Sequence, residues 1–312
     1  MDLYNLPNDD GKAYRKRQFM SLLKNPEKGY IDGATDYCLL VAFARNYGLR
    51  DDERFWLAYL YGLSYSQTTA IRTFLEFPNL SRVKLRQLEK FWESNKETLY
   101  FNHDRKYVKN NNAFVPAIKN IQELTQGMSP LYYWDDLTQE GFRPMYRAVK
   151  RDWYYFGPMG LYLFFDALWG LLPQWYVDPD KLDWKSCGKT VPEGMAHFLY
   201  LDEVVDSKEY PLNRFDKMVE LIQQRSEQPL VIIESTLCAF RKLFKGTRYV
   251  GYYADRMLLE CKQYGKPLLD KGVDLWKYRE QTIPKEMLGE LNGWDGIRED
   301  RLRLWLEKGV LR

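Results

Sequence analysis

The sequence predicts an all-α, multi-helix globular protein. Apolar residues recur at helical spacing along most of the chain, hardly any stretch alternates with period two, and Ser, Thr, Asn and Gly stand where helices would start and stop. With 312 residues, 45% hydrophobic and 29% charged, the chain can bury a sizeable core and has the composition of a soluble globular protein. No apolar run approaches the roughly 20 residues that a bilayer span needs, so no membrane partner is expected. The expected layout is one helical domain over 1–312, with the polar, turn-rich stretch 101–112 as the candidate division into lobes 1–110 and 111–312.

A net charge of +3 is too balanced for affinity by bulk electrostatics, so any nucleic-acid contact must come from local basic clusters. Two histidines, His103 and His197, and four scattered cysteines, Cys38, Cys187, Cys238 and Cys261, show no CxxC or HxxxH spacing. That argues against a zinc site or a disulfide framework; no metal and no cofactor are expected. The N-terminal segment has acids ahead of its basic residues and no apolar stretch, which is not the pattern of a secretory signal, and the cytoplasm is the expected compartment. Aromatic residues make up 16% of the chain, more than a helical core needs, and Tyr and Trp can also stack on bases.

In order, Thr35 is the expected cap of a first helix ending at Gly48, a second covers about 52–62, and Ser64 with Gln67 reads as a capping box for a third. Ser81 is expected to cap a solvated amphipathic helix and Asn112 the next one, which Gly127 ends. Ser129 followed by Pro130 opens another, because Pro is pre-organised for the first helical position. Thr190 with Glu193 reads as a second capping box after a long loop at 173–189; helices follow over 213–226 and 230–244, and one closes the tail.

The stretch 149–198 draws the most attention. A basic and aromatic cluster, Lys150, Arg151, Trp153, Tyr154 and Tyr155, turns at Gly157 and Pro158 into an apolar helix on which Asp166 stands alone. A second candidate is the segment around Gly246 and Gly251, where Arg241, Lys242, Lys245 and Arg248 precede a helix carrying Asp255 and Arg256. Glycines and cations at a helix start can hold phosphate. Neither a Walker nor a dinucleotide-binding glycine pattern is present.

The succession ARNYG, FWLAYLYGLSYSQTTAI, FGPMGLYLFFDALWGL, LDWKSCGKTVPEGMAHFL and RYVGYYADRMLLE resembles the α-glutamyl/putrescinyl thymine pyrophosphorylase superfamily, the amino acid:DNA transferases of phages that hypermodify thymine. The resemblance covers about residues 30–300, in pattern more than in a diagnostic signature. It implies a fold related to helix-hairpin-helix DNA glycosylases. The implied partners are double-stranded DNA carrying activated hydroxymethyluracil and a free amino acid, glycine being one guess, or a related amine. It also implies a reaction in which the amine replaces the pyrophosphate of 5-pyrophosphoryloxymethyluracil.

Such chemistry needs an aromatic pocket for an extruded base, for which Tyr65, Trp153 and Tyr252 are candidates. It needs fixed cations for the departing pyrophosphate and the DNA, for which Arg45, Arg151, Arg248, Arg256 and Lys245 are candidates. An acid of raised pKa must take the proton of the attacking amine, and Asp166, Asp36 and Asp255 compete for that role. Each has a structural alternative. Asp166 can be a paired core acid, Asp255 and Arg256 a surface pair, Arg45 a helix C-terminal cation, and the aromatic rings core or rim. A glycosylase-like base-excision enzyme and a non-catalytic helical DNA-binding module are the competing functions.

Overall fold

The computed structural model describes residues 37–185, 187–244 and 252–282, together with Phe19 and Leu23. These residues are all-helical, with sixteen α-helices, three short 3₁₀ turns and no strand among them. They fall into two compact units. One comprises Tyr37–Pro179 and Glu260–Tyr278, and the other comprises Asp180–Leu259 with the described residues of 1–36 and 279–312. The division therefore does not fall at residue 110. Stretch 101–112 lies inside the first unit, and it holds buried Phe101, Asn102, Arg105 and Val108, so it is packed rather than a boundary.

The first unit contains α1 (Cys38–Asn46), α2 (Asp51–Ser64), α3 (Gln67–Glu76), α4 (Leu85–Asn95), α5 (Lys106–Asn110), α6 (Phe114–Leu124), α7 (Pro130–Thr138), α8 (Phe142–Asp152) and α9 (Pro158–Leu171). We call it the α1–α9 unit. Its spine is α2 against α9. Both are buried along most of their length, and each fully buried Leu or Phe contributes about 1.5–3 kcal/mol. Asp51, Asp52 and Glu53 fill the first turn of α2, where the helix dipole favours negative charge, and Glu53 accepts from the Arg50 amide at 2.8 Å.

The pair is antiparallel. Arg54, near the start of α2, reaches the Leu171 carbonyl at the end of α9 (3.5 Å), while Gly62 near the end of α2 meets the other half of α9. A Cβ at Gly62 would stand 2.9 Å from the Phe164 Cβ, so the absent side chain is what lets the helices touch.

The segment between α2 and α3 binds several elements together. Sequence patterning places the cap at Ser64, but α2 runs through Ser64. Tyr65 takes a left-handed conformation (φ 51°), and Ser66 is the residue that accepts from Thr69 N (3.0 Å). Gln67 accepts from the amides of Leu39 (2.8 Å) and Leu40 (3.3 Å), supplying the acceptor that α1 lacks at its own start. Glu260 accepts from Thr68 N (2.8 Å), Thr68 Oγ1 (2.6 Å) and Ser66 Oγ (2.5 Å), which fastens 260–278 to the start of α3.

Two further caps differ from expectation. Asn79 rather than Ser81 caps the turn before α4, and no side chain caps α6, with Asn112 instead at positive φ (52°). Ser129 caps α7 with Pro130 at its first position, as the sequence predicts. Thr35, the expected cap of the first helix, lies outside the described residues, as does the expected tail helix.

The second unit holds α10 (Thr190–Leu199), α11 (Asp202–Ser207), α12 (Leu212–Ser226) and α13 (Leu230–Phe244), with Tyr252 to Leu259 of α14 (Tyr252–Tyr264); α15 (Lys266–Leu269) and the start of α16 (Leu275–Thr282) belong to the first unit. We call it the α10–α13 unit. Its core is α10 against α13, with Phe198 and Phe240 both packed on Phe19 (4.6 and 5.6 Å between ring centroids). The capping box expected from Thr190 and Glu193 does not form. Lys189 is the N-cap without a side-chain bond, and Glu193 is committed to Arg241.

Candidate functional site

Asp166 sits on α9 with 2% of its surface exposed. One turn further on, Gly170 lies against the Tyr37 ring, so the helix face after the acid is closed by an aromatic residue. Trp153, expected as a stacking platform, is 3% exposed and packs edge-on to Tyr59 (5.2 Å) and Phe164 (5.0 Å) while its indole N–H donates to Tyr133 Oη (3.1 Å). Its faces are spent on the core. Tyr65 is 7% exposed and meets the Tyr61 ring edge-on at 5.8 Å.

Among the expected cations of this unit, Arg45 is exposed in the last turn of α1, where it faces the dipole's negative end. Arg151 is exposed at the end of α8 and makes a two-point ion pair with Asp152 (2.6 and 2.7 Å). Arg256, in the α10–α13 unit, lies over the Tyr253 ring at 5.4 Å. Tyr252 and Asp255 lie in the first turn of α14, and their side chains are outside the described part. Asp36, Lys245 and Arg248 lie outside the described residues.

The residues that patterning missed are the more informative ones. Arg105 is fully buried. Its Nε donates to Leu63 O (3.1 Å) in the last turn of α2, its Nη2 to Tyr155 O (3.1 Å) and its Nη1 to the Tyr107 hydroxyl. The guanidinium also lies over the Tyr107 and Phe156 rings, at 5.0 and 5.5 Å, and against the bare Cα of Gly160, where a Cβ would come within 2.9 Å. Burial lowers its pKa, while the Tyr107 and Tyr59 hydroxyls work the other way. Its counter-charge is the carbonyl end of α2 and two aromatic faces. Only the pairing of Arg105 with Tyr107 in the sequence hinted at this, inside a stretch that reads as a polar loop.

The α10–α13 unit carries a different constellation. Glu193 and His197, one helical turn apart on α10, are both buried. Glu193 Oε2 meets Arg241 Nε at 2.6 Å, and His197 Nδ1 meets Asp202 Oδ1 at 2.7 Å. Nearby on α13, Glu234 shares a hydrogen bond with the Cys187 thiol. Burial, with Asp183 close by, raises the Glu234 carboxyl to about 7 against the opposing pull of that hydrogen bond; burial also pushes the thiol up. The four-residue spacing of Glu193 and His197 was the sequence signal for this group. Among the described residues no cluster of His, Cys, Asp and Glu could hold a metal ion, and no helix is long and apolar enough to cross a membrane.

No protein-family model matches the chain, and no curated protein or solved structure matches it.

Proposed function

We propose that the protein is a DNA base-modifying transferase that replaces the pyrophosphate of 5-pyrophosphoryloxymethyluracil with the amine of an amino acid. The observation that carries the reading is Asp166, a carboxylate 2% exposed on a helix otherwise without charge, in the unit that also bears the cationic helix α8. The motif succession described above supplies the chemistry. The C–O bond to the 5-methylene breaks, pyrophosphate leaves with the electron pair, and a C–N bond forms. The ammonium proton passes to a carboxylate, which we assign to Asp166, since burial is the usual means of making a carboxylate basic enough.

In the described conformation α9 and its neighbours close Asp166 off from solvent, so turnover requires side chains around α9 to move and admit the amine.

The test is incubation with DNA carrying pyrophosphorylated hydroxymethyluracil and each amino acid in turn, followed by mass spectrometry of the nucleosides. An amino-acid adduct with pyrophosphate release is the expected result. Abasic sites would make the protein an excision enzyme, and retention of DNA without turnover would make it a binding module. Asp166→Asn is expected to lower turnover at least a hundredfold, the scale of a lost general base, with the melting temperature nearly unchanged. A folded variant with normal turnover would return Asp166 to the core.

A further inference from the structure

Three tyrosine rings form a ladder on the α1–α9 unit. Tyr107 lies 5.8 Å from Tyr155 with the rings inclined by 33°, and Tyr155 lies 4.8 Å from Tyr154 at 43°. The outer rings are open to water, Tyr107 at 39% and Tyr154 at 45%. The arrangement is held at a cost. Tyr155 adopts a left-handed backbone (φ 62°), a conformation that costs a non-glycine residue about 1–3 kcal/mol and persists only where the surroundings impose it.

Two groups from elsewhere in the unit impose it here. Asn120 Oδ1 accepts from Tyr154 N at 2.8 Å, and buried Arg105 donates to Tyr155 O at 3.1 Å. The same guanidinium bonds the Tyr107 hydroxyl and underlies its ring, so one side chain positions the first two rungs of the ladder, Tyr107 and Tyr155.

Helix α8 leads straight into this turn. Arg143, Arg147, Lys150 and Arg151 recur at intervals of four, three and one, which places them on one exposed face, against a single acid, Asp152, that pairs with Arg151. Among the described residues no carboxylate forms an ion pair with Arg147 or Lys150. A cationic stripe that ends in open aromatic faces complements a polyanion whose flat bases are uncovered. In a duplex each base already has its faces on its neighbours, so exposed ring faces favour the unpaired form.

We infer that this face binds unpaired nucleotides of DNA, with bases stacked on Tyr107 and Tyr154 and phosphates held by Arg147 and Lys150. The choice of DNA rests on the proposed function; the stacking face rests on the geometry alone.

Fluorescence anisotropy of the full chain with a fluorescein-labelled oligothymidylate, with its duplex and with the matching RNA tests this. The single-stranded DNA is expected to bind tightest. Tyr107→Ala with Tyr154→Ala is expected to weaken it about thirtyfold or more, the scale of two lost base stacks, while Tyr154→Phe retains affinity. Arg147→Ala and Lys150→Ala are each expected to lower affinity and to reduce the salt slope by about 0.7, one released phosphate contact.

Circular-dichroism melts confirm that these surface variants fold. Equal binding of duplex and single strand, a preference for RNA, or an unchanged tyrosine double variant would overturn the inference. Adduct formation by the unsubstituted chain separates the two readings. Normal adduct yield without single-strand binding removes the face and keeps the transferase; single-strand binding through these residues without any adduct does the reverse.

Discussion

Arg105 and Arg241 are both arginines largely removed from water, yet the two units accommodate them in opposite ways. In the α10–α13 unit Arg241, 16% exposed, meets a carboxylate 6% exposed at 2.6 Å, and charge is answered by charge. In the α1–α9 unit fully buried Arg105 is answered by two carbonyls, a phenol and two aromatic faces. An ion pair fixes two side chains to each other. A guanidinium spread over neutral acceptors fixes three separate segments, the end of α2, the start of α5 and the turn before α9. The first arrangement suits a core and the second suits a surface whose shape must be held.

The largest expected effect breaks the second arrangement. Arg105→Met leaves the Leu63 and Tyr155 carbonyls without donors at about 1–3 kcal/mol each, so a loss of roughly 2–5 kcal/mol is expected in urea unfolding. A loss under about 1 kcal/mol would mean that Arg105 organises nothing.

Next comes Glu193→Gln, which leaves Arg241 facing a neutral amide and is expected to cost about 2–3 kcal/mol. Adding Arg241→Met should return most of it, since a buried pair replaced as a whole is close to neutral. Without that recovery, the pair stabilises the unit beyond its own desolvation.

The smallest effect concerns Glu234. Its carboxyl ionises near 4.5 in the unfolded chain and about 7 in the folded one, so the folded state holds a proton that the unfolded state has released between those values. Stability therefore falls as pH rises through that window and levels off above it. Glu234→Gln should flatten the dependence of the urea midpoint between about pH 5 and pH 8. A slope that survives the substitution belongs to another group.

How far the sequence could be read depended on the distance over which each feature is decided. Helix 230–244 was legible because apolar spacing within one segment reports its own buried face. The cap at Ser129 and Pro130 was legible for the same reason. The cap placed at Ser64 was not, because the helix before it continues for the sake of packing on α9, and the acceptor for α1 comes from Gln67, 28 residues from Leu39. Glu193 fits a capping pattern equally well, and only Arg241, 48 residues away, decides against it. Of the cationic and aromatic cluster, Trp153 looked like the platform. Its size makes it the better core residue, and the exposed ring is its neighbour Tyr154.

The sequence alone determined the all-helical class, most helix spans, the lone acid on α9 and the cationic character of α8, since each is written in the spacing of neighbours. The tertiary structure decided which arginine is buried, which tyrosines face water, where the chain divides into two units and which acid meets which base. Those depend on segments tens of residues apart arriving at one place, and a burial or a pairing made there leaves no periodic mark on either segment.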